Sequence, residues 1–204
     1  MNVIGRHCFD MGRYAEAHDW YQKAADMGDD EDKGEALNHI GILYSNGLLG
    51  KEDAVTAARY YEQAANLGEA WGAYNLAGCY LNGNGVPHNE ENAFAYYQQA
   101  AEAELADGMN ELAGCYANGI GTRQDDEKAL FWYQKAAEKG NVFTMLKTGD
   151  YYLRDNGYAA EARGWFEKVT EVADDELRGW AFHRLGNMYQ NGLLGTGNTS
   201  MAVL

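Results

Sequence analysis

Cationic residues are scarce: 16 lysines and arginines stand against 31 aspartates and glutamates, a formal charge of −15 over 204 residues. A chain with a pI near 4.6 has no cationic patch to displace the counterions of a nucleic acid or an anionic membrane surface. Neither is expected as a partner. Cysteine is sparse and odd in number, three residues. That excludes a disulfide framework and tolerates a reducing or an oxidising compartment. No apolar run reaches the ~18 residues a membrane helix needs, so no membrane insertion is expected. The N-terminus has no charged segment leading into an apolar stretch, so no signal peptide is read there. A soluble, cytoplasmic location is slightly favoured over a secreted or periplasmic one reached by removal of a leader. What the chain does have is an ordinary apolar fraction, 46%, which excludes a disordered acidic tail. Length allows one or two domains.

A short phrase recurs: IGILYSNG ending at Gly47, LAGCYLNG at Gly83, LAGCYANG at Gly119 and LGNMYQNG at Gly192. Aligned on the aromatic, Tyr44, Tyr80, Tyr116, Tyr152 and Tyr189 are spaced by 36, 36, 36 and 37 residues, and Cys8 occupies the slot in a degenerate first copy. Three residues before each anchor stands a small residue: Gly5, Gly41, Ala77, Ala113, Gly149 and Gly186. A second phrase follows each copy, opening at Ala17, Ala57, Ala93, Ala129 and Ala162 and striped at i, i+3, i+4, i+7 and i+8. That spacing marks one face of an α-helix and is incompatible with a strand, whose side chains alternate with period two. Each unit therefore reads as two amphipathic helices, A then B, broken by Asn-Gly or Gly-rich turns. Small residues recur because two helix backbones at roughly 8–10 Å need alanine or glycine where they approach most closely. The aromatic rows read as core, each ring removing about 150–250 Å² from water. One helix pair cannot cover both of its apolar faces, so the units must stack.

From the A-helix anchor to the B-helix alanine the separation is 13 residues in copies two to four, but nine in copy one and ten in copy five. The long-loop stretches YNLAGCYLNGNGVPHNEENAFAYYQQAA and NELAGCYANGIGTRQDDEKALFWYQKAAEKG resemble the Sel-one-like repeat, a relative of the tetratricopeptide repeat. FDMGRYAEAHDWYQKAADMG keeps the loop of ordinary tetratricopeptide units. The resemblance implies an all-α, right-handed α-solenoid of stacked antiparallel helix pairs, five pairs plus an incomplete sixth. It spans a single domain over residues 1–204, with repeats at about 1–28, 34–68, 70–104, 106–140, 142–173 and 178–204. The sixth B stripe would open at Ala202, two residues before Leu204. The chain thus reads as a piece of a longer solenoid or an abrupt truncation, with an open end apt to fray or to associate with another copy.

No catalytic constellation is present: no H-E-x-x-H, G-x-x-x-x-G-K-[ST], C-x-x-C or G-x-S-x-G. GNGVP at residues 83–87 follows a helix, whereas dinucleotide cradles follow a strand. The run from Asp29 to Asp32 places Ile40 where a calcium loop needs a bidentate glutamate, so it reads as a solvated acidic connector. The acidic runs at 125–127 and 174–176 read as helix starts, where carboxylates meet the positive end of the dipole. The five histidines, His7, His18, His39, His88 and His183, share no ligand spacing. Cys79 and Cys115 read as small buried thiols. No metal, cofactor or catalytic residue is assigned.

What remains is a surface. In the solenoids the chain resembles, the A helices line the concave face, and ligand-facing positions map to offsets −9, −6, −2, +1 and +2 from the anchor. At −9 stand Glu35, Trp71, Asp107, Phe143 and Trp180; at −6 stand Asn38, Tyr74, Asn110, Leu146 and His183. These rows lie one helical turn apart and would form a strip of aromatics among amides and carboxylates. Aromatics would anchor an extended peptide and amides would hydrogen-bond its backbone. The competing reading has Trp71, Phe143 and Trp180 plugging contacts between repeats. The function expected is a non-enzymatic adaptor or scaffold holding a basic or neutral protein segment. Two alternatives are a structural self-association segment and a cell-wall or glycan hydrolase. The hydrolase would need Glu35 and Asp107, two repeats apart, to act within the ~5–9.5 Å of a glycosidase pair.

Overall fold

The computed structural model describes residues 1–154 and 158–193. Among them are eleven α-helices and no strand. They fall into two compact units, divided between Gln124 and Asp125. The first holds α1 (Asn2–Asp10), α2 (Tyr14–Met27), α3 (Asp30–Ser45), α4 (Ala54–Asn66), α5 (Ala70–Asn82), α6 (Glu90–Glu102) and α7 (Ala106–Asn118). The second holds α8 (Asp126–Glu138), α9 (Val142–Tyr152), α10 (Ala159–Val172) and α11 (Asp175–Gln190).

Within each unit every helix packs on the next. The A-type helices also touch in series, α1 on α3, α3 on α5 and α5 on α7 in the first unit, and α9 on α11 in the second. The stacked helix pairs are those the period demanded. The sixth B stripe at Ala202 and the open end lie outside the described residues.

Capping fixes where the helices begin. Asp29, Asp53, Asn89, Asp125, Asn141 and Asp174 each stand at an N-cap, the side chain accepting from the backbone N–H three residues on. Each such cap stabilises by roughly 0.5–2 kcal/mol, because it satisfies an N–H that has no partner in the helix. The expected helix starts at 125–127 and 174–176 are found. The run from Asp29 to Asp32 is no connector: Asp29 caps α3, and Asp30, Glu31 and Asp32 form its first turn. The same dipole preference explains it, and a charge count alone had hidden it.

The core divides the aromatics more sharply than their spacing did. The anchors Tyr44, Tyr80, Tyr116, Tyr152 and Tyr189 are only half-buried. Tyr44 stacks on Tyr60, and Tyr80 on Tyr96, each with centroids 5.7 Å apart. The buried ring is the one four residues after each B-helix alanine: Tyr21, Tyr61, Tyr97, Tyr133 and Phe166. In three copies this ring lies directly on the small residue of helix A. A Cβ added to Gly5, Gly41 or Gly149 would stand 2.5–2.6 Å from Tyr21, Tyr61 or Phe166. Gly186 has no such neighbour among the described residues. Cys115 is buried and Cys79 half-buried; both are free, and burial raises both thiol pKa values.

Two of these rings differ at one atom. The Tyr61 hydroxyl lies 3.0 Å from Ser45 Oγ, whereas the Tyr21 hydroxyl is buried with no partner among the described residues. Burial raises both phenols to about 12. Tyr61→Phe should therefore lower stability by about 1 kcal/mol, and Tyr21→Phe should raise it by a similar amount. Urea unfolding of the two variants beside the parent checks the opposite signs.

Candidate partner-binding face

The −9 row stands at the surface. Trp71, Phe143 and Trp180 are 43%, 54% and 57% exposed, so none is a sealed plug. Glu35 and Asp107 are half-buried. The −6 row lies deeper. Asn38 and Asn110 are only 5% and 6% exposed, Leu146 is buried, Tyr74 is half-buried, and His183 alone is open. The two rows are thus rim and floor rather than one strip. The floor amides are engaged inside the unit: Asn75 donates to Asn38 Oδ1 at 2.8 Å, and Asn110 donates to Glu111 at 2.8 Å.

In the first unit the structure brings Glu35, Asn38 and Trp71 into one groove of about 750 Å³. Arg6, Asp30, Glu31, His39 and Glu69 join them, over apolar patches from Ile42, Leu67, Ala70 and Ala103. Trp71 is held edge-to-face against Tyr74, centroids 5.5 Å apart, and Tyr74 meets Tyr97 in the same way at 5.7 Å. Glu35 is fixed from two sides. The Asn2 amide donates to its Oε2 at 3.0 Å, and the Arg6 guanidinium pairs with Oε1. Glu69 caps α5, accepting from the Trp71 N–H at 3.0 Å. Burial raises its carboxyl pKa, the Trp71 N–H opposes this, and the charge of Glu35 adds to the rise. Burial lowers the His39 pKa, outweighing the opposing pull of Glu35.

Sequence reasoning singled out neither Glu69 nor Arg6, and weighed His39 only as a metal ligand. Arg6 sits at the −2 offset of the degenerate first copy, a position the repeat pattern does mark. Glu69 lies two residues before the −9 row, where helix capping is the stronger local signal. Asp107 does not line this groove.

In the second unit Phe143, Leu146 and Trp180 share a smaller groove of about 280 Å³ with Lys147, Asp150, Glu176, Leu177 and Arg184. Lys147 lies 4.8 Å above the Phe143 ring, and Arg184 pairs with Asp150 at 2.7 Å. His183 stands outside it, its Nε2 3.1 Å from the Asn187 amide. The described histidines, cysteines and carboxylates form no group of three able to hold a metal ion. No described helix is long and apolar enough to cross a membrane.

These helix pairs and their loops can be set beside known proteins. The family model described as Sel1 repeat matches residues 9–29, 34–69, 72–105, 106–141 and 183–203. The chain belongs to the Sel1 repeat family. The short-loop fifth copy, within residues 142–182, lies between the Sel1 matches. A Sel1 repeat protein from Oxalobacter formigenes has a similar structure, with a TM-score of 0.78 and 28% identity over 93% of this chain and 76% of that one. So has c5321, a protective antigen present in uropathogenic Escherichia coli strains and displaying an SLR fold. There the TM-score is 0.84 and the identity 27%, over 98% of this chain but 43% of the antigen. Sel1 repeat proteins are generally non-catalytic scaffolds for protein interaction.

Proposed function

We propose that this Sel1 repeat chain is a non-enzymatic interaction module, whose −9 row holds a basic or neutral protein segment on the A-helix face. The observation that carries the reading is the exposure of Trp71, Phe143 and Trp180. These large rings recur in one register and remain in water, while the B-helix rings in their own recurrent slot, Tyr21, Tyr61, Tyr97, Tyr133 and Phe166, are buried. Exposed aromatics cost solvation and are the side chains that most often anchor an interface. A net charge of −15 favours a partner without excess negative charge, and binding should weaken with salt. The repeat register runs unbroken through residues 124 and 125, which supports reading 1–204 as one solenoid domain. Self-association through the open end would involve residues 194–204, outside the described residues.

A random-peptide display library panned on the immobilised chain tests this. Sequences should enrich on the parent and fail to enrich on the double variant Trp71→Ala with Tyr74→Ala, while its helical circular dichroism is unchanged. Equal enrichment on parent and variant, or none on the parent, would overturn the reading.

A further inference from the structure

We propose that the groove between Glu35, Glu69 and Trp71 is a subsite for one arginine or lysine side chain of the bound segment. This rests on the interaction-module reading and adds the chemistry of one contact. The groove is walled by four carboxylates, Asp30, Glu31, Glu35 and Glu69, against a single guanidinium, that of Arg6. Among the described residues, Asp30, Glu31 and Glu69 have no ion-pair partner. Glu69 is a half-buried carboxylate close enough to feel the charge of Glu35, so a cation entering the groove offsets the cost of its burial and screens the repulsion.

The other lining residues select an organic cation over a bare ion. Trp71 supplies an exposed indole, the best aromatic face for a cation, held in place by Tyr74. Ile42, Leu67, Ala70 and Ala103 supply apolar contact for the methylene stem of a long basic side chain. Arg6 gives the internal precedent, since one guanidinium from this chain already pairs with Glu35 while its side chain remains 60% exposed. A groove of about 750 Å³ leaves room beside that pair for a second basic side chain and the backbone that carries it.

The test starts from peptides selected on the parent chain. They should be rich in arginine or lysine, and replacing the critical arginine by citrulline, its neutral isostere, should weaken binding by about tenfold or more. On the protein, Glu35→Gln with Glu69→Gln should give a similar loss. Glutamine keeps an acceptor oxygen for the α5 cap, and circular dichroism verifies the fold. Removing the same charge elsewhere, by Glu62→Gln with Glu138→Gln, should change affinity less than about twofold. Two results overturn the subsite: citrulline binding as tightly as arginine, or both charge-removing pairs weakening binding equally. Selected peptides with no basic residue that still depend on Trp71 and Tyr74 would overturn the subsite and leave the interaction module standing. Failure to select any peptide would remove both.

Discussion

Gly85→Ala and Gly121→Ala should each destabilise the first unit by about 3 kcal/mol or more, well beyond the cost of a glycine in an ordinary turn. Both residues have positive φ, +76° and +63°, in the long A–B loops of copies three and four. A Cβ at Gly85 would stand 2.0 Å from the carbonyl oxygen of Ala54, the first residue of α4. At Gly121 it would stand 2.0 Å from the carbonyl oxygen of Glu90, the first residue of α6. Each long loop therefore presses its backbone onto the start of the B helix one repeat earlier. No rotamer change can relieve a clash between Cβ and backbone, so the loop must leave its neighbour. Gly12 and Gly68 provide the controls. Their φ values are also positive, but an added Cβ would meet nothing within 4 Å. Alanine there should cost only the left-handed backbone strain, about 1–2 kcal/mol. Urea unfolding of the four variants checks the contrast, and equal losses would mean that the loops do not lock the repeats together.

That lock also shows where the sequence was readable and where it was not. Helix type, the two-helix period and the small residues at Gly5, Gly41 and Gly149 were legible, because helix spacing and close approach leave a local pattern. The second loop glycine was legible only as a turn. Its reason is a carbonyl some thirty residues away, and copy two has Leu49 in that slot. The site was half legible. The −9 row could be listed by counting, and the structure leaves its three aromatics in water. The −6 amides read as donors and acceptors for a peptide backbone, and counting could not show that Asn38 already accepts from Asn75 of the next A helix. Glu69, Arg6 and His39 escaped because the groove is assembled from three consecutive copies at different offsets, and no single repeat contains it.

The separation between rings that hold the helices and rings left to a partner is the central claim, and the second unit tests it with two truncations. Phe166 is fully buried on Gly149, where an added Cβ would stand 2.5 Å from its ring. Trp180 is larger but 57% exposed. Removing a buried aromatic forfeits its transfer energy and leaves a cavity that the surrounding helices fill only in part, at a cost of about 3–5 kcal/mol. Removing an exposed one forfeits little, and alanine is the better helix former, so the change should stay within about 0.5 kcal/mol. Thermal and urea unfolding of Phe166→Ala and Trp180→Ala beside the parent is the most direct measurement. A steep loss for Phe166→Ala with a near-parental Trp180→Ala is the result expected. Comparable losses in the two would place Trp180 in the fold and contradict the division on which the binding face rests.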